Sequence, residues 1–365
     1  MAIIESVRWS PDGDAVRIID QTQLPERFVE RDLRSIDDVC DAIGRLAVRG
    51  APAIGIAGAM GLVASLLPSA RESRTAFDSR LRTHADRIRA TRPTAVNLPR
   101  ALDRMVARAT EEPGDTADVL AALRAEATDL LVEDRAMCRR IGENALPLIT
   151  DGARVLTHCN AGALATGGIG TALAPIYLAH EAGRRVHVFV DETRPLLQGS
   201  RLTAWELSRA GIPVTVIADG AAASLMRGGA IGLCIVGADR IAANGDVANK
   251  IGTYAAALAA QHHGLPFYVA APTSTLDPSL SHGDAIPIER RSADELASLG
   301  AVRLTPPAAD IDNPAFDVTP AEMVTAIVTD QGMFSRPYRF RGIAGSGDRG
   351  RLAASPSGAL DPSTP

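Results

Sequence analysis

Two rhythms of apolar and polar positions divide this chain near residue 150. Beyond it, short apolar runs recur at 153–157 (ARVLT), 186–190 (VHVFV), 213–217 (PVTVI), 232–236 (GLCIV), 267–270 (FYVA) and 301–304. Short apolar runs without alternation read as strands buried on both faces. Segments with helical spacing lie between them, at 171–183, 199–210, 220–228 and 249–263. Strand, loop and helix in repetition predict a parallel, doubly wound sheet. Before residue 150 the pattern differs. Residues 5–30 alternate apolar and polar, with turn signals at Pro11-Asp12-Gly13 and near Pro25, which predicts a small antiparallel meander. From Ser35 to Val48, Ile36, Val39, Ala42, Ile43, Leu46 and Ala47 keep helical spacing, with Ser35 as N-cap and Asp37-Asp38 in the first turn. Further helices are expected at 53–66, 71–90, 97–110 and 114–145. The expected fold class is therefore α/β. Residues 1–145 form a mainly helical N-terminal domain with a short β meander. Residues 146–337 form a Rossmann-like domain on a doubly wound parallel sheet. The stretch 338–365, rich in Gly, Ser, Pro and Arg without periodicity, reads as a disordered tail.

Candidate chemistry clusters after the strands. In open α/β sheets, ligands bind outside the carboxyl ends of the strands. The run THCNAGALATGGIG (157–170) follows the first strand and leads into a helix expected near Thr171. Small residues there let backbone N–H groups approach an anion, and a helix N-terminus adds positive potential. Cys159 and His158 sit in this loop, and a thiol there is tuned by its surroundings; a turn of small residues around a buried cysteine has the same sequence. Asp239 follows GLCIV and Gly237-Ala238, where burial would raise its pKa and suit it as a general acid. An ion pair with Arg240 is the alternative. Asn249-Lys250 offer an amide for a hydroxyl and a cation for a phosphate, or else an N-cap and a solvated lysine. Arg49 and Arg92 suit a phosphate clamp, or ordinary surface pairs.

Composition narrows the classes. Hydrophobic residues make up 46% of the 365, enough for a large core, and the net charge of −5 comes without any basic block. A nucleic-acid surface normally needs clustered Lys and Arg. The longest apolar stretch, Ala53–Leu67, is short for a membrane span and contains glycines, and the N-terminus has no secretory pattern. Cys40, Cys138, Cys159 and Cys234 lack metal-ligand spacing and read as reduced cytoplasmic thiols. Neither G-x-G-x-x-G nor G-K-[ST] occurs in the glycine-rich segment, so a dinucleotide or triphosphate site has no support.

Five segments together resemble the methylthioribose-1-phosphate isomerase family: RGAPAIGIAGAMGL (49–62), TRPTAVNLPRALDRM (91–105), THCNAGALATGGIGTAL (157–173), DETRPLLQGSRLTAWEL (191–207) and GADRIAANGDVANKIGTY (237–254). The likeness runs from about residue 5 to NPAFDVTPAEMVTAIVTDQG (313–332). That family shares its fold with the alpha, beta and delta regulatory subunits of the eukaryotic initiation-factor guanine-nucleotide exchange factor. The resemblance implies that Cys159 is the catalytic cysteine and Asp239 the catalytic acid. It implies that Arg49, Gly50, Ala51, Arg92, Gln198, Asn249 and Lys250 bind a sugar phosphate. It implies a homodimer with no cofactor and no metal. Two departures are visible: Gly220 follows Asp219 in place of a small polar residue or Asn, and Arg290 stands where the family has an acid. A regulatory subunit of the exchange-factor type would not need the Cys–Asp pair. Isomerases of ribose 1,5-bisphosphate and 5-deoxyribose 1-phosphate remain alternatives. A bisphosphate would require a second cationic cluster.

Overall fold

The computed structural model describes residues 4–92 and 97–340. The chain opens with an antiparallel meander, β1 (Val7–Trp9), β2 (Val16–Ile19) and β3 (Glu30–Leu33). Val7 pairs with Ile18 and Val16 with Leu33, so one face is apolar and packs onto helices. α1 (Ile36–Gly44) starts in a capping box: Ser35 Oγ accepts from Asp38 N–H, and the Asp38 carboxylate accepts from Ser35 N–H. α2 (Ala51–Leu66) is then surrounded by α1, α3 (Arg74–Thr91), α4 (Asn97–Glu111) and α5 (Thr116–Ala145). Continued through the next turn to Ser69, α2 is long and apolar enough to cross a membrane by length and composition. Here every residue from Ala53 to Leu66 is buried in the helical core, and an apolar helix of that kind is stabilised by protein neighbours as well as by lipid. α5 serves two cores. Val119, Leu123 and Leu131 pack with α2, whereas Ile141 and Ala145 pack under the main sheet.

The main sheet uses β4 (Ala153–Thr157), β5 (Val186–Asp191), β6 (Val214–Ile217), β7 (Leu233–Val236), β10 (Phe267–Ala270), β15 (Ala326–Thr329) and β16 (Gly332–Phe334). They lie in the order β16-β15-β10-β7-β4-β5-β6, all parallel except the edge strand β16. Numbered by appearance, the parallel strands run 3-2-1-4-5-6, an order that reverses between β4 and β7. Loops leaving those two neighbours diverge, and a crevice opens between them. α6 (Ala174–Glu181), α7 (Ala204–Arg209), α8 (Ala222–Arg227) and α9 (Thr253–His262) connect the strands. A smaller sheet, β11-β8-β9-β14, combines β8 (Arg240–Ala242), β9 (Val247–Lys250), β11 (Leu276–Asp277) and β14 (Phe316–Thr319). α10 (Ala293–Ala297) precedes a two-stranded ribbon, β12 (Ser298–Leu299) and β13 (Val302–Arg303).

The structure departs from the sequence reading at several elements. Residues 301–304 give only the exposed ribbon strand β13; the sixth parallel strand is β15, whose AIVT is wholly buried. The helix expected at 249–263 begins at Thr253, because Val247–Lys250 pair as a strand with β14. Residues 199–203 form a π turn before α7. Tyr338 and Phe340, placed in the expected tail, pack on the core on the opposite face of the main sheet from α5, with the Tyr338 hydroxyl donating to Val324 O at 2.8 Å. Residues 341–365 lie outside the described residues.

Candidate active site

The crevice between β4 and β7 holds a cavity of about 740 Å3. Every residue singled out in the sequence lines it: Arg49, Gly50 and Ala51 at the start of α2, Arg92 at the end of α3, Cys159 after β4, Gln198 before α7, Asp239 after β7, and Asn249 and Lys250 on β9. Residues 93–96, which follow Arg92 in the TRPTAVNLPRALDRM segment, lie outside the described residues.

The N-terminus of α2 faces this space without a side-chain cap and without an acid in its first turn. Its free N–H groups and the helix dipole favour an anion. Gly50 has φ +92°, and a Cβ there would collide with the backbone of Ala165, so only glycine lets α2 approach the loop after β4 this closely. A small apolar cluster of Ile19, Leu24, Leu164 and Leu202 presses the meander and that loop together.

Cys159 has φ +62°, a left-handed conformation that costs a non-glycine residue about 1–2 kcal/mol. Hydrogen bonds on both sides hold it. Its N–H donates to Thr193 Oγ1 at 2.9 Å, and Thr203 Oγ1 donates to its carbonyl at 2.6 Å. The preceding His158 is clamped at both ring nitrogens, with Nδ1 2.9 Å from Asp191 Oδ2 and Nε2 2.8 Å from Ile251 O. A carbonyl only accepts, so Nε2 carries a proton, and a second proton lies between Nδ1 and the carboxylate. Burial pushes the His158 pKa down, but Asp191 and the Ile251 carbonyl outweigh it and raise it. Ligand atoms of His158, Asp191 and Asp219 lie within 4.8 Å of one another. That set does not fit a resident metal, because both His158 nitrogens are engaged and Asp219 accepts the Thr193 and Arg194 N–H groups at 2.7 and 2.8 Å. These side chains hold the loops that present the thiol. Burial raises the Cys159 pKa, and Arg49 and Lys250 oppose the rise.

Asp239 is exposed to the cavity and enclosed by protein elsewhere. This desolvation raises its pKa, while Lys250 and Arg49 lower it. The Arg240 pair considered above is absent: Arg240 faces Asp277 at 3.7 Å. Asp239 N–H donates to Ala248 O at 2.9 Å, which fixes the carboxylate beside β9. Lys250 is buried, donates to Ala315 O at 2.7 Å and lies 4.4 Å from the centre of the Phe316 ring. Burial lowers its pKa, and Cys159 and Asp239 hold it up. Asn249 does not cap α9, whose N-cap is Gly252; its amide donates to Thr253 Oγ1 at 2.9 Å. Gln198 is buried with Oε1 unpaired among the described residues, an acceptor suited to a hydroxyl.

Sequence reasoning missed the layer beneath. Arg49 donates to Asn160 Oδ1 at 3.0 Å and to Asn160 O at 2.8 Å. Asn160 donates in turn to Glu206, which also accepts from Ala163 N–H and the Tyr177 hydroxyl. Burial raises the Glu206 carboxyl to about 7 against these bonds. Its signal in the sequence is an acid four residues from both Leu202 and Ala210, on the inward side of an expected helix. Of the two departures, Gly220 has open space around its Cα, and Arg290 pairs with Asp312 at the surface.

A strand-order reversal bordered by a helix N-terminus, the cations Arg49, Arg92 and Lys250, a thiol and a carboxyl defines an α/β protein with a cavity suited to a small anionic molecule. The chain belongs to the Initiation factor 2 subunit family, whose model matches residues 47–336. It is 55% identical over 342 residues to the methylthioribose-1-phosphate isomerase of Gemmatimonas aurantiaca, covering 94% of this chain and 97% of that one. It is 51% identical over 337 residues to the 5-deoxyribose 1-phosphate isomerase of Moorella thermoacetica, covering 92% and 95%. The crystal structure of 5-methylthioribose 1-phosphate isomerase from Pyrococcus horikoshii OT3 matches with a TM-score of 0.88 at 39% identity, over 93% of this chain and 94% of that one.

Proposed function

We propose that this protein is an aldose–ketose isomerase that converts 5-methylthioribose 1-phosphate to 5-methylthioribulose 1-phosphate in methionine salvage. The observation that carries the reading is the meeting of Cys159 and Asp239 in one cavity with Arg49, Lys250 and the N-terminus of α2. The substrate is a furanose with phosphate on its anomeric carbon, so it has no free aldehyde to isomerise. Protonated Asp239 donates to the ring oxygen as the C1–O bond breaks. Cys159, reacting as the thiolate, takes the proton from C2, giving a C1=C2 enol phosphate. The C2 hydroxyl proton returns to Asp239 as the ketone forms, and the thiol delivers its proton to C1. Both side chains end as they began, and no outside electrons are needed. The cations balance the phosphate and ease formation of the thiolate. Leu196, Ile286, Pro287 and Ile288 give the cavity apolar wall for a methylthio group. Assays of the purified protein on 5-methylthioribose 1-phosphate, 5-deoxyribose 1-phosphate and ribose 1,5-bisphosphate test the assignment. Preference for the bisphosphate, or no turnover of any of the three, sinks it.

A pH prediction follows from the acid role. Asp239 works while protonated, and desolvation by the protein around the cavity holds its pKa above the ordinary carboxyl value. Turnover at saturating substrate therefore falls as pH rises through that pKa, and Asp239→Asn removes this limb from the residual rate. A flat profile across about pH 5 to 9, with an isotope effect at C2 showing that chemistry limits the rate, leaves the role without support.

The same reading divides the chain into a helical part, 1–145, and a Rossmann-like part, 146–337, supported by the two cores and the strand order. It includes a homodimer formed through the sheet-bearing part, where Tyr254 and Leu258 on α9 are exposed apolar groups. Light scattering that finds a stable monomer at micromolar concentration rejects the dimer. Cytoplasmic operation is supported by four free thiols, and periplasmic or extracellular recovery of the protein in cell fractionation would refute it.

A further inference from the structure

We infer that Glu206 is a positioning residue: its buried carboxylate sets the orientation of the Asn160 amide and, through it, aims the Arg49 guanidinium at the substrate's phosphate. The inference rests on the phosphate-binding reading above. Glu206 has no exposed surface, Tyr177 is 3% exposed and Asn160 5%. A buried carboxylate is costly, and an apolar side chain would fill the same space without that penalty. The hydrogen-bond directions around the carboxyl show what it does.

Both neighbours of the Asn160 side chain are one-way. A carboxylate only accepts and a guanidinium only donates. Asn160 Nδ2 faces Glu206 Oε1, with Thr203 Oγ1 at 3.1 Å, and Asn160 Oδ1 faces Arg49 Nη1 at 3.0 Å. The amide has one orientation that satisfies both sides. On the far side, Glu206 Oε2 accepts from Ala163 N–H at 2.7 Å and from the Tyr177 hydroxyl at 3.0 Å. Donors therefore meet both carboxylate oxygens. Arg49 gives two of its N–H groups to Asn160, one to the side chain and one to the backbone carbonyl. This fixes the guanidinium plane against the loop after β4 and leaves its remaining N–H groups for a ligand in the cavity.

Glu206→Gln keeps the shape and breaks the polarity. Its NH2 group must face either the Asn160 amide or the Ala163 N–H, a donor against a donor. If Asn160 turns to relieve the conflict, its own NH2 meets Arg49. The KM for 5-methylthioribose 1-phosphate and the inhibition constant of inorganic phosphate should rise together, by about 10- to 100-fold. Turnover should change far less. The double variant Glu206→Gln with Asn160→Asp restores the pattern: the introduced glutamine amide donates to the new carboxylate, and the other oxygen of that carboxylate accepts from Arg49. It should recover most of the lost affinity. Unchanged KM and phosphate inhibition in a folded Glu206→Gln protein, even one with a lowered melting temperature, overturn the inference. A double variant no better than the single does so too. If Glu206→Gln does not fold, Asn160→Ala takes its place, because it leaves Arg49 held only by the Asn160 backbone carbonyl, free to turn, and leaves Glu206 with Ala163 and Tyr177. The same rise is then expected, and wild-type values overturn the inference. Calorimetric titration of the wild-type and variant proteins with inorganic phosphate separates the two ideas. Should the wild type turn over none of the sugar phosphates, the isomerase reading fails, while weaker phosphate binding by the variant still supports the role of Glu206.

Discussion

Cys159→Ser and Asp239→Asn should each lower turnover by about 10²- to 10⁴-fold, the usual loss when one group positioned for proton transfer is removed. Both replacements nearly match the original in size, so the fold should be kept. The Cys159 backbone is held by Thr193 and Thr203 rather than by its own sulfur, and serine can occupy the same left-handed position. Serine fails chemically, because its hydroxyl is a far weaker acid and gives almost no alkoxide to take the C2 proton. Asparagine in place of Asp239 cannot give a proton to the ring oxygen. The change also removes a potential negative charge beside Lys250, whose hydrogen bond to Ala315 O is untouched, so the fold should survive it. Steady-state kinetics with circular dichroism and melting curves check both. Near-native turnover by folded, soluble Cys159→Ser rejects the thiol's role, and the same result for Asp239→Asn rejects the acid.

Removing either phosphate cation should raise KM by about 10- to 100-fold, the range for deleting a hydrogen bond to a charged group. Arg49→Ala removes the guanidinium that spans the α2 N-terminus and Asn160. Lys250→Ala should do more than weaken binding. Lys250 lowers the pKa of both Asp239 and Cys159 and is buried against Phe316 and Ala315 O. Without it the thiolate is harder to form, so turnover should fall along with affinity. Lys250→Met keeps most of the buried volume and separates charge from packing. Inorganic phosphate should compete with substrate in the wild type and lose potency in each variant. Wild-type KM, or phosphate that fails to compete at high concentration, contradicts the anchoring role.

Much of the candidate site is legible in the sequence, for a local reason. A strand end followed by small or polar residues is a short-range pattern that THCN and GADR both carry, and RGAP marks the break before α2. The elements misread were those decided at long range. Val302–Arg303 is apolar enough for a strand, but no neighbour places it in the main sheet. Asn249 and Lys250 look like a helix entrance until β14, more than sixty residues later, pairs with them. Arg240 and Asp239 look like partners by adjacency, yet successive residues on an extended segment point apart, and Arg240 turns to Asp277.

By itself the sequence determined the alternation of strand and helix, most of the buried apolar runs, the apolar α2 and the polar residues following the strands. These depend on period and residue type over a few positions. Only the tertiary structure decided that β4 and β7 are neighbours where the strand order reverses, which brings Cys159 and Asp239 to one cavity from opposite loops. It alone decided that the acid in the DETRPLLQGSRLTAWEL segment would lie beneath Asn160, and that His158 would be clamped between Asp191 and the Ile251 carbonyl. Hydrogen-bond partners and desolvation depend on residues distant in the chain meeting at a few ångströms, and no local pattern encodes that.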